Sequence, residues 1–149
     1  MAQLTGKTII ITGSSRGVGA DTAQILAAEG ANIVVNYRSK APRANKIVKA
    51  IEEAGGKAVA VQADVTKAED LQTLVNTAVE TFGSLDYLIL NASGGMETGM
   101  GEDYAMRLNR DAQLNLARLA AEKMPAGGRI VFVTSHQAHF IREVETMDE

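Results

Sequence analysis

The chain has 149 residues, 46% of them apolar and 22% charged, and its 15 Lys plus Arg against 18 Asp plus Glu leave a formal charge of −3. This is the length and balance of one globular domain with a real core, which excludes disorder as the main state and marks out neither nucleic acid nor a membrane surface as a partner. Cysteine is absent, so disulfide frameworks, thiolate metal sites and cysteine nucleophiles fall away and no metal site is expected.

No apolar run reaches the roughly 18 residues of a membrane span. The start, Met1-Ala2-Gln3-Leu4-Thr5-Gly6-Lys7, does not read as a secretion signal. One cytoplasmic domain over residues 1–149 is the expectation.

Thr8 to Thr12 is β-branched throughout and reads as a strand apolar on both faces. A Gly-rich turn leads into a helix over Ala20 to Glu29, apolar at Ala23, Ile25, Leu26 and Ala27, with Gly30 as its cap. Asn32 to Tyr37 is a second buried strand. Ala44, Ile47, Val48 and Ile51 then form a helical stripe that Gly55-Gly56 ends.

Lys57 to Gln62 is a third strand. Thr66-Lys67-Ala68-Glu69 has capping-box form and opens a helix through Leu71, Leu74, Val75, Ala78, Val79 and Phe82 to Gly83. Asp86 to Leu90 is a fourth strand, followed by a Gly-rich stretch. A helix from about Glu102 to Met124 is stopped by Pro125 and Gly127-Gly128, and Arg129 to Thr134 is a fifth strand. Residues 136–149 form a polar, irregular tail. Strands apolar on both faces, alternating with helices, pair in parallel, because right-handed crossovers lay helices over each face. The expected fold is α/β: a Rossmann-like doubly wound sheet of order 3-2-1-4-5.

The sharpest motif is Thr12-Gly13-Ser14-Ser15-Arg16-Gly17-Val18-Gly19, between the first strand and the first helix. Such a turn points backbone amides and the positive end of a helix at a pyrophosphate. Gly13 permits the tight turn, Gly17 lets backbone approach a ligand, and Gly19 lets helix pack on strand. A packing-only turn is the bland alternative; the strand–turn–helix context favours a nucleotide.

The spacing Thr-Gly-x-x-x-Gly-x-Gly resembles the signature of the short-chain dehydrogenase/reductase family, in particular its NADP-dependent 3-oxoacyl-carrier-protein reductase-like members. Other matches keep register from Lys7 to about Ser135. Asp64-Val65 resembles the family's adenine contact, and it equally suits capping of the next helix. Asn91-Ala92-Ser93-Gly94 resembles the Asn-Ala-Gly element, with Ser93 where Gly is usual; Asn91 is also suited to tying strand four to its neighbour. Asn109 and Ser135 match the family's active-site Asn and Ser. Asn109 shares a helical face with Ala105, Ala112 and Leu116, so its amide needs either a core partner or a site.

A ribose with free hydroxyls is usually gripped by an acidic residue ending strand two. Here Asn36-Tyr37-Arg38-Ser39 stands there, with no carboxylate until Glu52. Arg16, Arg38 and Ser39 suit a 2′-phosphate through charge-assisted hydrogen bonds, unless the two arginines are solvated surface charges. NADP(H) is therefore the expected cofactor, with NAD(H) as the alternative. The cofactor-binding set is Gly13, Ser14, Ser15, Arg16, Gly17, Val18, Gly19, Tyr37, Arg38, Ser39, Asp64, Val65, Asn91, Ala92 and Ser93.

The resemblance implies hydride transfer between nicotinamide and a carbonyl or alcohol of a small molecule, with Ser135 placing the oxygen and Asn109 supporting a proton relay. It also implies a homo-oligomer, dimer or tetramer, formed through the long fourth helix. The family's Tyr-x-x-x-Lys is not found: Tyr37, Tyr87 and Tyr104 are the tyrosines, none with Lys four positions on, and all precede Ser135. Three accounts are open: the front part of a longer reductase, which the uncovered edge of strand five favours; a non-catalytic NADP-binding or interaction module; and another nucleotide-binding Rossmann domain, such as a methyltransferase using S-adenosylmethionine. The substrate is not legible.

Overall fold

A computed structural model describes residues 4–14, 17–38, 41–64, 67–91 and 102–133, with Val18, residues 102–110, Phe132 and Val133 described by their backbone. The elements alternate as expected: β1 (Thr8–Ile11), α1 (Gly17–Ala28), β2 (Asn32–Tyr37), α2 (Ala41–Glu53), β3 (Lys57–Gln62), α3 (Ala68–Phe82), β4 (Tyr87–Asn91), α4 (Glu102–Lys123) and β5 (Arg129–Val133). The strands are parallel, in the order β3-β2-β1-β4-β5.

Period-two alternation sorts the strand residues into two layers. Ile10, Val34, Leu88 and Leu90 pack with Leu71, Leu74, Val75 and Ala78 of α3 and with Leu116 and Ala120 of α4. Ile9, Ile11, Ile33 and Val35 pack on the other face with Ala23 and Ala27 of α1 and Ala44 and Ile51 of α2. The buried face of α1 is made of Ala20, Ala23 and Ala27, small residues that let the helix lie close to the sheet. Ile25 lies off this face and is 65% exposed, because it stands about 200° round the helix from Ala23.

The start of α3 differs from its sequence pattern. Its N-cap is Lys67, in extended conformation and with no side-chain cap bond, so Glu69 falls one position short of the reciprocal place in a capping box; Thr66 lies outside the described residues. The acid that reaches back is Asp70, whose Oδ2 accepts the amide of Asp64 at 2.8 Å. The Lys67 amide bonds the Asp64 carbonyl at 2.9 Å, a tight turn that delays the first helical residue. At the amino edge of the sheet, buried Asp86 accepts the Thr8 amide and the Ser84 hydroxyl on Oδ2, each at 2.9 Å. Its backbone bonds Thr8 and Arg129, so one residue joins β1, β4 and β5.

Candidate cofactor site

The residues singled out by sequence and described by the structure, Asn109 apart, gather at the carboxyl edge of the sheet, where β1 lies between β2 and β4. Connections from these two neighbours run to opposite faces, which opens a crevice at that edge. Past Ile11 the chain turns, with Gly13 and Gly17 at φ 62° and 61°, a left-handed conformation in which a Cβ is strained. α1 then begins at Gly17, directly after this turn, and the first-turn amides of a helix have no partner within the helix.

The turn is held from both sides. Toward β4, the Thr12 amide donates to the Ile89 carbonyl at 3.0 Å, and the Asn91 amide donates to Thr12 Oγ1 at 2.9 Å. The Thr12 hydroxyl returns a 3.4 Å bond to the Asn91 carbonyl, and Asn91 Nδ2 donates to the Gly13 carbonyl at 3.3 Å. Toward β2, the Gly13 amide donates to Asn36 Oδ1 at 3.0 Å and the Ser14 amide to the Asn36 carbonyl at 3.2 Å.

Gly19 closes this arrangement. A Cβ there would stand 2.5 Å from the Gly13 carbonyl oxygen and 2.6 Å from Asn91 Nδ2, so only glycine lets α1 dock on the turn and on β4. Above Gly17, in contrast, nothing among the described residues lies within 4 Å of a Cβ position. Close packing behind and open space in front are what an approaching diphosphate needs.

The other sequence-chosen residues divide by where their polar atoms go. Ser14 is fully buried, and its hydroxyl donates to the Ile11 carbonyl at 2.7 Å while accepting the Asn36 amide at 3.0 Å. It shapes the turn from within. Tyr37 is half-buried and packs on the α1/α2 side, while Arg38 is exposed where β2 ends. Gln62 Nε2 holds the Arg38 carbonyl at 3.3 Å. Asp64 is half-buried just past β3, with its amide on Asp70.

Val18 is the second residue of α1, and Asn109 sits in α4 three positions before Ala112, where the buried run Ala112, Leu116, Ala120 begins. Ser15, Arg16, Ser39, Val65, Ala92, Ser93 and Ser135 lie outside the described residues. Two contributors were missed by sequence reasoning: Asn36 and Asp70. The signal for Asn36 was a polar amide inside an otherwise apolar strand. Asp70 carried none, since acids are common in a first helical turn.

The model of the family described as short chain dehydrogenase matches residues 7–146. The chain belongs to this family. Among its relatives, versicolorin reductase 1 of Dothistroma septosporum is 38% identical over 142 residues, covering 91% of this short-chain dehydrogenase chain and 54% of the relative. A short chain dehydrogenase from Burkholderia cenocepacia J2315, solved in complex with NADP, superposes with a TM-score of 0.79 at 35% identity, over 87% of this chain and 56% of that one.

A 7α-hydroxysteroid dehydrogenase complexed with NADH and 7-oxo glycochenodeoxycholic acid gives 0.78 at 29% identity, over 99% of this chain and 62% of its own. The short-chain dehydrogenase chain thus spans about half the length of the curated relatives it matches. No helix among the described residues is long and apolar enough to cross a membrane.

Proposed function

We propose that these 149 residues are the dinucleotide-binding part of an NADP(H)-dependent oxidoreductase of the ketoreductase type, acting on a small carbonyl or alcohol. The observation that carries this reading is the glycine turn, clamped by Asn36 and Asn91 and closed behind by Gly19, with α1 opening over the crevice. The first-turn amides at Gly17, Val18 and Gly19, with Ser15, would hold the diphosphate. The amides of Gly13 and Ser14 are committed to β2 and support that cradle from beneath.

Tyr37, Arg38, Ser39 and Arg16 would meet the 2′-phosphate, and exposed Arg38 at the end of β2 favours the phosphorylated cofactor. The relative solved with NADP and the one solved with NADH both support a nicotinamide dinucleotide. Asp64 and Val65 would line the adenine, and Asn91, Ala92 and Ser93 the nicotinamide end.

When bound, the nicotinamide supplies or accepts a hydride. Charge then develops on the substrate oxygen, which needs fixed dipoles and a proton donor waiting there. In this reading Ser135 orients that oxygen and Asn109 supports a proton relay through water. The family's donor, Tyr-x-x-x-Lys, is not among these 149 residues. A cytoplasmic dimer or tetramer built through α4, which the family resemblance implies, belongs to the same proposal.

Calorimetric titration tests the reading. NADPH should bind saturably and more tightly than NADH, and S-adenosylmethionine should not bind. Binding of S-adenosylmethionine alone would transfer the chain to another nucleotide-binding class. NADPH binding by a natural full-length product that shows no carbonyl-dependent NADPH oxidation would leave a non-catalytic binding module.

A further inference from the structure

We infer that Asn36 is a positioning residue for the cofactor: one buried carboxamide that holds the phosphate turn and the adenine-side loop at a set separation, an inference that rests on the nicotinamide reading above. Asn36 is 3% exposed in a strand whose neighbours Ile33, Val34 and Val35 are fully buried. A polar amide there is costly unless every bond is made, and here each is. Its Oδ1 accepts the Gly13 amide at 3.0 Å; its Nδ2 donates to the Ala63 carbonyl at 3.1 Å, with the Val61 and Tyr37 carbonyls at 3.5 Å.

Its backbone makes the remaining ties to the turn, the amide to Ser14 Oγ and the carbonyl to the Ser14 amide. Gly13 begins the phosphate turn after β1, and Ala63 precedes Asp64 after β3. One side chain on β2 therefore bridges the two loops that an adenine dinucleotide has to span together.

The chemistry of the site selects asparagine. The Gly13 amide can only donate and the Ala63 carbonyl can only accept, so the side chain has to offer an acceptor on one side and a donor on the other. Aspartate keeps the first bond and aims a second oxygen at the carbonyls of Ala63, Val61 and Tyr37. An apolar residue leaves both partners without a bond. In either variant the turn samples other conformations, and apparent affinity falls in proportion to the lost competent fraction.

The test uses the 149-residue chain, with NADPH as the probe. Asn36→Ala and Asn36→Asp should each weaken NADPH binding by about tenfold. Asn32→Ala removes an amide at the far end of the same strand, bonded to Thr8 Oγ1 at 3.5 Å; it should leave affinity unchanged while lowering thermal stability, which separates positioning from stability. Hydrogen exchange gives a readout that needs no variant: in the wild-type chain the Gly13 amide should be protected well beyond exposed loop amides.

A Gly13 amide exchanging at loop rates overturns the inference even if the Asn36 variants fail to fold. So does an Asn36→Ala variant that binds NADPH within about twofold of wild type. Failure of the wild-type chain to take up NADPH refutes the cofactor reading and this inference with it. Wild-type binding with unaffected Asn36 variants refutes the inference alone.

Discussion

Replacing Gly19 by alanine adds one methyl group where the chain has no space for it. The new Cβ would stand 2.5 Å from the Gly13 carbonyl oxygen, 2.6 Å from Asn91 Nδ2 and 3.0 Å from Ser14 Cα. One of these is a backbone oxygen inside a clamped turn, so it has little freedom to yield. Overpacking of this kind costs about 1–3 kcal/mol. Alanine in a helix recovers about 0.5–1 kcal/mol over glycine, so the net loss is up to about 2.5 kcal/mol and the melting temperature should fall by up to about 10 °C.

The methyl group also pushes between Asn91 Nδ2 and the Gly13 carbonyl, which are bonded at 3.3 Å. The turn then separates from β4, and NADPH affinity should drop by about tenfold, the equivalent of one lost hydrogen bond near 1.4 kcal/mol. Gly17→Ala is the contrasting variant, since its Cβ position has nothing within 4 Å. Only its φ of 61° opposes alanine, at about 1–2 kcal/mol, and its larger effect should be on cofactor affinity, because the methyl enters the space left for the diphosphate. Thermal denaturation by circular dichroism and calorimetric titration with NADPH read both quantities. A Gly19→Ala chain as stable as wild type and with unchanged affinity would refute the packing argument.

Arg38→Asp should lower the preference for NADPH over NADH by about tenfold or more, since a charge-assisted bond becomes a repulsion; an unchanged ratio of dissociation constants would show that another group reads the 2′-phosphate. Asp86→Ala leaves the Thr8 amide and the Ser84 hydroxyl, each bonded at 2.9 Å, without their carboxylate. That should cost about 2–3 kcal/mol by urea denaturation, yet leave NADPH affinity of the folded chain intact, because Asp86 lies at the edge of the sheet opposite the crevice. In a longer protein containing this chain, Ser135→Ala should reduce turnover far more than cofactor affinity. Equal losses in steady-state kinetics and titration would point to a structural serine.

Most of the architecture was legible in the sequence. Runs such as Ile9–Ile11 and Ile33–Val35, apolar at consecutive positions, suit strands covered on both faces, and the helices between them leave few permissible orders. Residue spacing also placed the turn, since Gly13 and Gly17 each answer a local backbone demand. The exposure of Ile25 and the start of α3 were not legible, for a common reason. Composition counts an apolar side chain or a capping pattern without knowing which side of a helix meets the sheet, or where a preceding turn releases the chain.

The chain alone determined the strand order, the carboxyl-edge location of the turn and the family, because these depend on periodicity and on spacing along a few residues. Folding decided which polar groups are spent inside the fold. Ser14 stood beside Ser15 as an equal candidate until its hydroxyl was seen bonded to the Ile11 carbonyl, and Asn36 had no assigned role until its amide was seen spanning Gly13 and Ala63. Those partners lie 23 and 27 residues away along the chain, and Asn91 reaches Gly13 across 78. A hydrogen bond depends on distance and angle between atoms that only the assembled sheet brings together, and no local pattern encodes that.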